Sequence, residues 1–359
     1  MNDGSMSASY PSEPTHPNPP SEPGSNGVAK SGELVGVVLI GRNEGERILR
    51  AVDALGTPRP PVLYVDSGST DGSPDAVEAR GVRVHRLDPA RPFSAARARN
   101  EGLEVLLEDD PGLAFVQFVD GDCELAPGWL EEARATLRAR AKVAMVAGIL
   151  TERDPDLSPY ARVMGVEWEL PGLGDVEAVG GIALARVEAV RAVGGYDANL
   201  IAGEEYDLTL RLRREGWRIA RIDAPMATHD GGVTKLSQWW RRAVRSGHTH
   251  VEAWLRHGRE TGRSGFRTFV SSQAWGIALP VVALGGAWFT SGWSLALLTL
   301  YPVQVVRIAR RFRGLGFDPP TARLFGVHCV ASMLPQALGQ LRCLTFSLFD
   351  RKSELIEYK

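Results

Sequence analysis

The chain has 359 residues, a formal net charge of −2 and three cysteines. This length leaves room for one large domain with an appendage or for two domains, and the small net charge identifies no partner by itself. Three scattered cysteines are too few for a disulfide framework or a zinc cluster, so reduced thiols are expected. Residues 1–33 are rich in Ser, Pro, Gly and Asn and hold no apolar core of a secretory signal. We therefore expect a disordered tail and a protein body that begins in the cytoplasm.

Apolar runs alternate with helical patterns from residue 34 onwards. The runs "LVGVVLI", "VLYVD", "VRVHRL" and "FVQFVD" are typical of short buried strands, and the stretches between them have helical spacing. Strands that alternate with helices indicate an α/β fold with a mainly parallel sheet covered on both faces. In such sheets, ligands bind beyond the carboxyl ends of the strands.

Two carboxylates follow the fourth of these runs. In "AFVQFVDGDCEL", Asp120 and Asp122 are separated by one glycine. The spacing alone fits either a turn, for which Asp-Gly-Asp is favourable, or a divalent-cation site, since carboxylates are hard oxygen ligands. Asn43 and Glu44 follow the first run, and Asp66 ends the second. Three strand ends thus bring polar groups to one edge, which favours a ligand site over independent turns.

Residues 151–235 are predicted to complete this domain. After an irregular stretch, "GGIALARVEAVRAVGG" predicts a strand or turn followed by a short helix. "EEYDLTLRLRREG" predicts a clearer helix that ends at Gly216, because glycine is the common residue after a helix C-terminus. "WRIARID" predicts a further strand, so the domain is placed at residues 34–235.

The composition changes after residue 235. Residues 239–323 hold twelve arginines and three acids with interleaved tryptophans, a pattern that suits either nucleic acid or a membrane face. The uncharged 21-residue stretch 269–289 favours the membrane, because it would extend about 31 Å as a helix, against a hydrocarbon core of roughly 30 Å. "WSLALLTLYPVQVV" is also uncharged and ends at Arg307.

Arginine clusters flank both uncharged segments. The positive-inside rule places such clusters on the cytoplasmic side, and a hairpin that enters and returns satisfies both flanks. A buried helix of a soluble domain is the alternative for either segment. We predict a basic amphipathic interfacial region, a transmembrane hairpin, and a basic loop with a C-terminal membrane-associated α-helix, at 236–267, 268–306 and 307–359. The last apolar stretch, within 324–349, either spans the membrane or lies in its interface.

The motif "YVDSGSTDGS" ends an apolar strand in Asp66 and turns into a helix. By itself it is also explained by a strand–turn–helix with Asp71 or Ser73 as the cap. Together with "LIGRNEGERI", "ARARNEGL", "FVDGDCEL" and "GEEYDLTLRLRREGW", in their order along residues 34–235, it resembles the family 2 glycosyltransferases. These are inverting enzymes with a nucleotide-sugar-binding domain of the GT-A fold. No G-x-G-x-x-G or P-loop lysine pattern follows the first strand, which counts against dinucleotide or ATP chemistry.

The resemblance implies a role for each polar residue at the sheet edge. Asp120 and Asp122 would hold Mg²⁺ or Mn²⁺ on the nucleotide diphosphate. His229 would be a further metal or phosphate ligand, or else an ordinary structural histidine. Glu205 would be the catalytic base that deprotonates the acceptor hydroxyl, and Glu204 is the alternative because the family more often has Glu-Asp at this pair. The nucleotide-sugar pocket would be lined by Asn43, Glu44, Asp66, Ser67, Arg97, Asn100 and Asp120. Arg97 and Asn100 could instead be ordinary solvated helix residues.

The predicted function is transfer of one sugar from a nucleotide-diphosphate sugar to a lipid-linked or glycan acceptor at the membrane, in cell-surface glycan or exopolysaccharide synthesis. The expected location is the cytoplasmic membrane with the catalytic domain on the cytoplasmic side, so membrane lipids are expected partners and nucleic acid is not. "QWWRR" resembles the Q-x-x-R-W motif of membrane-bound polysaccharide synthases, but Arg242 replaces the final Trp, which disfavours a processive polymerase. One alternative is a sugar-phosphate nucleotidylyltransferase, but such enzymes carry a glycine-rich basic loop after the first strand, and "GRNEGERI" is a poor match to it. The other alternative is a non-catalytic nucleotide-sugar-binding scaffold.

Overall fold

The computed structural model describes residues 34–170, 172–200, 202–258 and 262–348, with side chains throughout except at 262–265. The predicted tail at 1–33 and the end of the predicted C-terminal region lie outside the described residues.

A nine-stranded sheet forms the centre of the domain. Its strands are β1 (Val35–Gly41), β2 (Val62–Asp66), β3 (Arg83–Arg86), β4 (Phe115–Asp120), β5 (Cys123–Leu125), β6 (Val143–Glu152), β7 (Gly174–Val176), β8 (Ala183–Arg186) and β9 (Arg218–His229). Their order is β3-β2-β1-β4-β8-β6-β9-β5, with β7 paired to β9. Since β1, β2, β3, β4, β6 and β9 run in one direction, the predicted α/β fold with a mostly parallel sheet is confirmed. The β8 strand, where the sequence predicted a strand or turn, runs antiparallel between β4 and β6.

Helices connect these strands and pack on the sheet. They are α1 (Glu46–Asp53), α2 (Ser73–Glu78), α3 (Ala95–Asp109), α4 (Trp129–Ala139), α5 (Pro159–Glu169), α6 (Val187–Ala192) and α7 (Glu204–Arg214). Helix α3 approaches the sheet closely at Gly102, where a Cβ atom would lie 2.6 Å from Val38 Cγ1 and 2.8 Å from Val65 Cγ2. One continuous apolar core results, in which Val38 and Val65 are fully buried.

The end of α7 agrees with the predicted glycine stop. Gly216 has a φ of 82°, in the left-handed region that glycine adopts without strain. The amides of Gly216 and Trp217 donate to the carbonyls of Arg213 and Leu212, which caps the last turn. The other end of α7 begins at Glu204 and so places the predicted acid pair in the first turn.

The register at the carboxyl ends of the first strands brings their acids together. Gly41 of β1 pairs with Asp66 of β2, and Ile40 of β1 pairs with Asp120 of β4. The ends of β2 and β4 therefore flank the end of β1 at one edge of the sheet, which is the edge that the sequence predicted for ligand binding.

The remaining helices form a second region. They are α8 (Leu236–His257), α9 (Gly262–Gln273), α10 (Leu279–Gly285), α11 (Leu300–Gly314), α12 (Pro319–Ala331) and α13 (Met333–Leu348). Helices α8 and α13 meet at two glycines, since a Cβ atom on Gly247 would lie 2.1 Å from Gln336 O and one on Gly339 would lie 2.0 Å from Val244 O. Only glycine allows the two backbones to approach this closely.

The two uncharged segments fold back on each other. After α9, a π-helical turn at Ala274–Ala278 leads into α10, and a 3₁₀ segment at Trp293–Thr299 returns towards α11. Ser294 Oγ donates to Ala283 O at 2.7 Å across this reversal. Within the described residues, one helical stretch, Phe266–Gly285, is long and apolar enough to cross a membrane. By itself this is weak support for the predicted transmembrane hairpin.

Candidate active site

A cavity of about 950 Å³ lies at the carboxyl ends of the strands, between the sheet edge and the helices that follow β9. Most of the residues predicted for the site line it: Asn43, Glu44, Ser67, Asp120, Asp122, Glu204, Glu205 and His229. The sheet therefore gathers into one space side chains that are up to 186 positions apart in the chain, from Asn43 to His229.

The loop after β1 is held by the loop after β2. Asn43 has a φ of 54°, and its Oδ1 accepts from the Thr70 amide at 2.8 Å. Asp71 Oδ2 and Ser73 Oγ both accept from the Gly45 amide, at 3.0 and 2.9 Å. The polar residues of "YVDSGSTDGS" thus order the two loops that form one wall of the cavity.

Asp66 lies beneath this wall instead of lining the cavity. It is 3% exposed. Its Oδ2 accepts from the amides of Gly68 and Ser69 at 3.0 Å each, and its Oδ1 from the Tyr64 hydroxyl at 3.2 Å. The following residue, Ser67, lines the cavity. Asp66 therefore shapes the loop, and its direct contact with a nucleoside stays a prediction.

The structure corrects the placement of two predicted pocket residues on α3. Arg97 is 4% exposed, and its guanidinium bonds Glu101 Oε1 at 2.7 Å together with backbone carbonyls that include Asp88 O at 3.0 Å. Asn100 exchanges two hydrogen bonds with the backbone of Tyr196, at 2.7 and 2.8 Å. Neither residue lines the cavity, because both side chains point to neighbouring loops that they hold in place.

Arg99, which the sequence did not single out, occupies the centre of the site. It is 1% exposed, and its Nη2 donates to Asp120 Oδ1 at 2.8 Å. Its Nη1 donates to Glu204 Oε1 at 2.9 Å and lies 3.5 Å from Glu205 Oε1. A single buried guanidinium thus connects the acid at the end of β4 with the acid pair at the start of α7.

A signal for Arg99 was present in the helical spacing. Gly102, Leu103 and Leu106 of α3 are buried, and Arg99 precedes them by three, four and seven positions. Residues at these spacings share one helix face, so Arg99 belongs to the face that packs on the sheet.

Asp122 and His229 form the part of the site that could hold a metal. Their atoms Oδ2 and Nε2 are 3.4 Å apart, and the exposed fractions of the two side chains are 4% and 12%. The sulfur of Cys123 lies within 4.8 Å of the ligand atoms of both residues. Asp120 is instead bonded to Arg99.

The thiol of Cys123 differs from the other two donors. Burial, together with the nearby carboxylates, raises the pKa of Cys123 well above its ordinary value when no cation is bound. The thiol donates to Asp122 Oδ1 at 3.3 Å. The site therefore offers one carboxylate, one imidazole and one buried thiol as donors to a divalent cation.

The two glutamates at the start of α7 differ in exposure and in their contact with Arg99. The Glu204 side chain is 5% exposed and accepts from Arg99 directly, whereas that of Glu205 is 23% exposed. Burial and the charge of Glu204 raise the pKa of Glu205 to about 7, although Arg99 opposes this shift. Glu205 therefore combines access to the cavity with a proton affinity suited to proton transfer near neutral pH.

The helices after β9 supply the far wall of the cavity, which the sequence did not predict. Glu167 of α5 pairs with Arg242 of α8 at 2.7 Å and lies 3.5 Å from His328 Nε2 of α12. Trp239 Nε1 donates to His328 Nδ1 at 2.9 Å. In the "QWWRR" motif, Arg242 thus forms an ion pair inside the cavity wall, and Gln238 caps the start of α8 through the Thr234 and Lys235 amides.

The fold places the chain among GT-A-like α/β proteins. It resembles the mannosyltransferase PcManGT from Pyrobaculum calidifontis, solved in complex with GDP-Man and Mn²⁺, with a TM-score of 0.51 over 86% of each chain and 19% sequence identity. At this identity, the likeness concerns the fold alone.

Residues 37–192 match the sequence model of Glycosyl transferase family 2, so the chain contains a domain of that family, as its motifs predicted. It is 30% identical to the pre-mycofactocin glycosyltransferase of Mycobacterium tuberculosis over 68% of this chain and 51% of that protein. It is also 30% identical to the succinoglycan biosynthesis protein ExoA of Rhizobium meliloti, over 52% of this chain and 60% of that protein. The chain thus spans about half to three fifths of the length of these relatives.

Proposed function

We propose that the protein transfers a sugar from a nucleotide-diphosphate donor to an acceptor hydroxyl with inversion at the anomeric carbon. The observation that carries this proposal is the arrangement around Arg99. One buried guanidinium holds Asp120 and Glu204, and the same cavity contains Asp122, His229 and Glu205. A donor-binding group and a base thus lie in one space.

We assign the base to Glu205. Inverting transfer needs one carboxylate that accepts the proton of the attacking hydroxyl. Glu204 is held by Arg99 at 2.9 Å and its side chain is 5% exposed, whereas the side chain of Glu205 is 23% exposed. The charge of Glu204 contributes to the raised pKa of Glu205.

We assign the cation site to Asp122 and His229, with Asp120 at the neighbouring position of the motif. A divalent cation bound there would offset the negative charge that develops on a leaving nucleoside diphosphate. Mn²⁺ and GDP-mannose are the first ligands to test, because the structural neighbour was solved with both.

The decisive experiment is a donor screen of the full-length protein in detergent with Mn²⁺, scored by the nucleoside diphosphate released. We expect one donor to be turned over, and activity to be lost in EDTA and in Asp122→Asn. A donor that binds but is never hydrolysed or transferred would favour a non-catalytic scaffold. Full activity in EDTA would contradict the metal assignment.

We further propose that the second region binds the cytoplasmic membrane and presents a lipid-linked or membrane-proximal acceptor to the cavity. The support is the exposure of large apolar side chains where the chain reverses: Trp288 is 90%, Phe289 87% and Trp293 81% exposed. Tryptophan is enriched at membrane interfaces, and Arg310, Arg311 and Arg313 follow on α11. We expect the protein to stay with membranes in alkaline carbonate, and release by carbonate or by high salt would contradict insertion.

A further inference from the structure

Glu152, which lies in the irregular part of the sequence and matches no motif, contacts the proposed metal ligand directly. It ends β6 and pairs in register with His229 at the end of β9. Its Oε2 lies 2.7 Å from His229 Nδ1, and its side chain is 3% exposed. An ionised carboxylate can only accept hydrogen bonds, so Nδ1 of His229 is the donor in this pair.

The carboxylate of Glu152 is itself held in place. Oε1 accepts from the Gly231 amide at 3.0 Å, and Oε2 also accepts from Trp168 Nε1 at 3.3 Å. The Trp168 ring meets the imidazole of His229 edge to face, with centroids 5.2 Å apart and planes at 73°. The imidazole is therefore fixed by a hydrogen bond at one nitrogen and by a ring contact at its face.

This arrangement leaves the other nitrogen of His229 for the cavity. In the neutral imidazole, a proton on Nδ1 leaves the lone pair on Nε2, which lies 3.4 Å from Asp122 Oδ2. Imidazoles that ligate metals commonly donate their second N–H to a carboxylate, which fixes the tautomer and the ring orientation.

We infer that Glu152 is a positioning residue for the cation site: it sets the tautomer and the direction of His229 so that Nε2 faces a divalent cation shared with Asp122. This inference rests on the proposed function for the presence of the cation. Glu152 would touch neither donor nor acceptor and would act only through His229.

The backbone shows that Glu152 is not needed to pair the strands at this point. The Arg153 amide donates to His229 O at 2.8 Å, and β6 pairs with β9 along most of its length. A side chain whose two carboxylate oxygens are directed to the imidazole and to the adjoining turn therefore has a role beyond strand pairing.

The first test is Mn²⁺ binding to the full-length protein in detergent, measured from the free-ion EPR signal. Glu152→Gln keeps the shape of the side chain but replaces one carboxylate oxygen by an NH₂ group. That NH₂ group must face either His229 Nδ1 or the Gly231 amide, both of which are donors in the wild type. We expect the Mn²⁺ Kd to rise about 10- to 100-fold, the usual effect of removing such a carboxylate. Circular dichroism should show an unchanged fold.

The matched control is Glu124→Gln. Glu124 lies on β5, next to β9, and pairs with Arg50 and Arg153 without a described contact to His229. Its substitution removes one negative charge near the same site, so it separates positioning from general electrostatics. Equal Mn²⁺ affinities for the two variants would overturn the inference.

The second test reads the tautomer of His229 without metal. Long-range ¹H–¹⁵N spectra of histidine-labelled protein, recorded at a pH at which the imidazole is neutral, should show the Nδ1–H form in the wild type and in Glu124→Gln, but a mixture in Glu152→Gln. The same single tautomer in Glu152→Gln would also overturn the inference. If wild-type protein binds no Mn²⁺ at millimolar concentration, the proposed metal dependence fails, and the tautomer still decides whether Glu152 positions His229.

Discussion

The α/β domain and the helical region after it are stabilised in different ways. Residues 34–235 enclose one continuous apolar core around the sheet. In the helical region, the described residues form small clusters, such as Phe312, Ala322 and Phe325 with Val163 of α5, and leave Trp288 and Phe289 almost fully exposed. The difference indicates that the first region is stable through its own core, whereas the second is stabilised in part by its contacts with the first and leaves a large apolar surface exposed.

The two regions meet at the cavity. The sheet edge supplies the acids Asp120 and Asp122, and the helical region supplies Trp239, Arg242 and His328 as the opposite wall. Under the proposed function, the chemistry belongs to the α/β domain and acceptor access to the helical region, so substitutions in each should have separable effects.

The largest expected effect is on chemistry in the α/β domain. Glu205→Gln keeps size and hydrogen bonding but removes the basicity, so transfer should fall by roughly 10²- to 10⁴-fold while donor affinity survives. Glu204→Gln should reduce transfer much less. The test is to measure the transfer rate and, by calorimetry, the donor affinity of both variants. An inactive Glu204→Gln together with a nearly normal Glu205→Gln would mean that Glu204 is the base.

Loss of Arg99 should destabilise the α/β domain. Arg99→Met removes the cation between Asp120 and Glu204 and leaves a buried carboxylate without its partner, which lowers the free energy of unfolding by about 3 to 5 kcal/mol. Arg83→Met is the matched control, because its pair with Asp109 is exposed and contributes about 1 kcal/mol or less. Denaturant unfolding compares them, and equal midpoints would contradict the central role of Arg99.

The glycine contact between α8 and α13 tests the second region. Gly339→Val would force the backbones apart and should destabilise the helical region by about 1 to 3 kcal/mol. Gly285→Val is the control, since nothing lies within 4 Å of its Cβ position. Hydrogen exchange should show loosening of α8 and α13 with the sheet protected, and loosening of the sheet as well would mean that the regions are not separable.

The smallest expected effect is a pH dependence. Because Glu205 must be ionised to act as a base and its pKa is raised to about 7, the transfer rate should fall up to about tenfold for each pH unit below 7. If the transfer rate instead falls only below about pH 4, Glu205 is not the titrating base.

The raised pKa of Glu205 also affects stability. Between the ordinary carboxyl pKa of 4.5 and pH 7, the folded state keeps a proton on Glu205 that the unfolded state has released, so the free energy of unfolding falls as the pH rises towards 7. Glu205→Gln should therefore melt higher than the wild type at pH 8 and similarly at pH 4.

The sequence by itself determined the strand–helix alternation and the edge at which the acids collect. Asp120, Asp122 and Glu205 were predictable because each lies at the end or start of a strongly patterned element, and parallel strands bring such ends together. The family 2 assignment of the domain at residues 37–192 followed from the order of the same motifs, which is a property of the chain alone.

Only the tertiary structure decided which neighbouring side chain enters the site. Arg97 and Arg99 are two positions apart on α3, so they point to different faces, and packing on the sheet turns Arg99 inwards. Glu152 meets His229 only because β6 and β9 pair across 77 positions of sequence. The helical wall with Arg242 and His328 likewise depends on long-range packing, since the local patterns of α8 and α12 predict helices but not what they face.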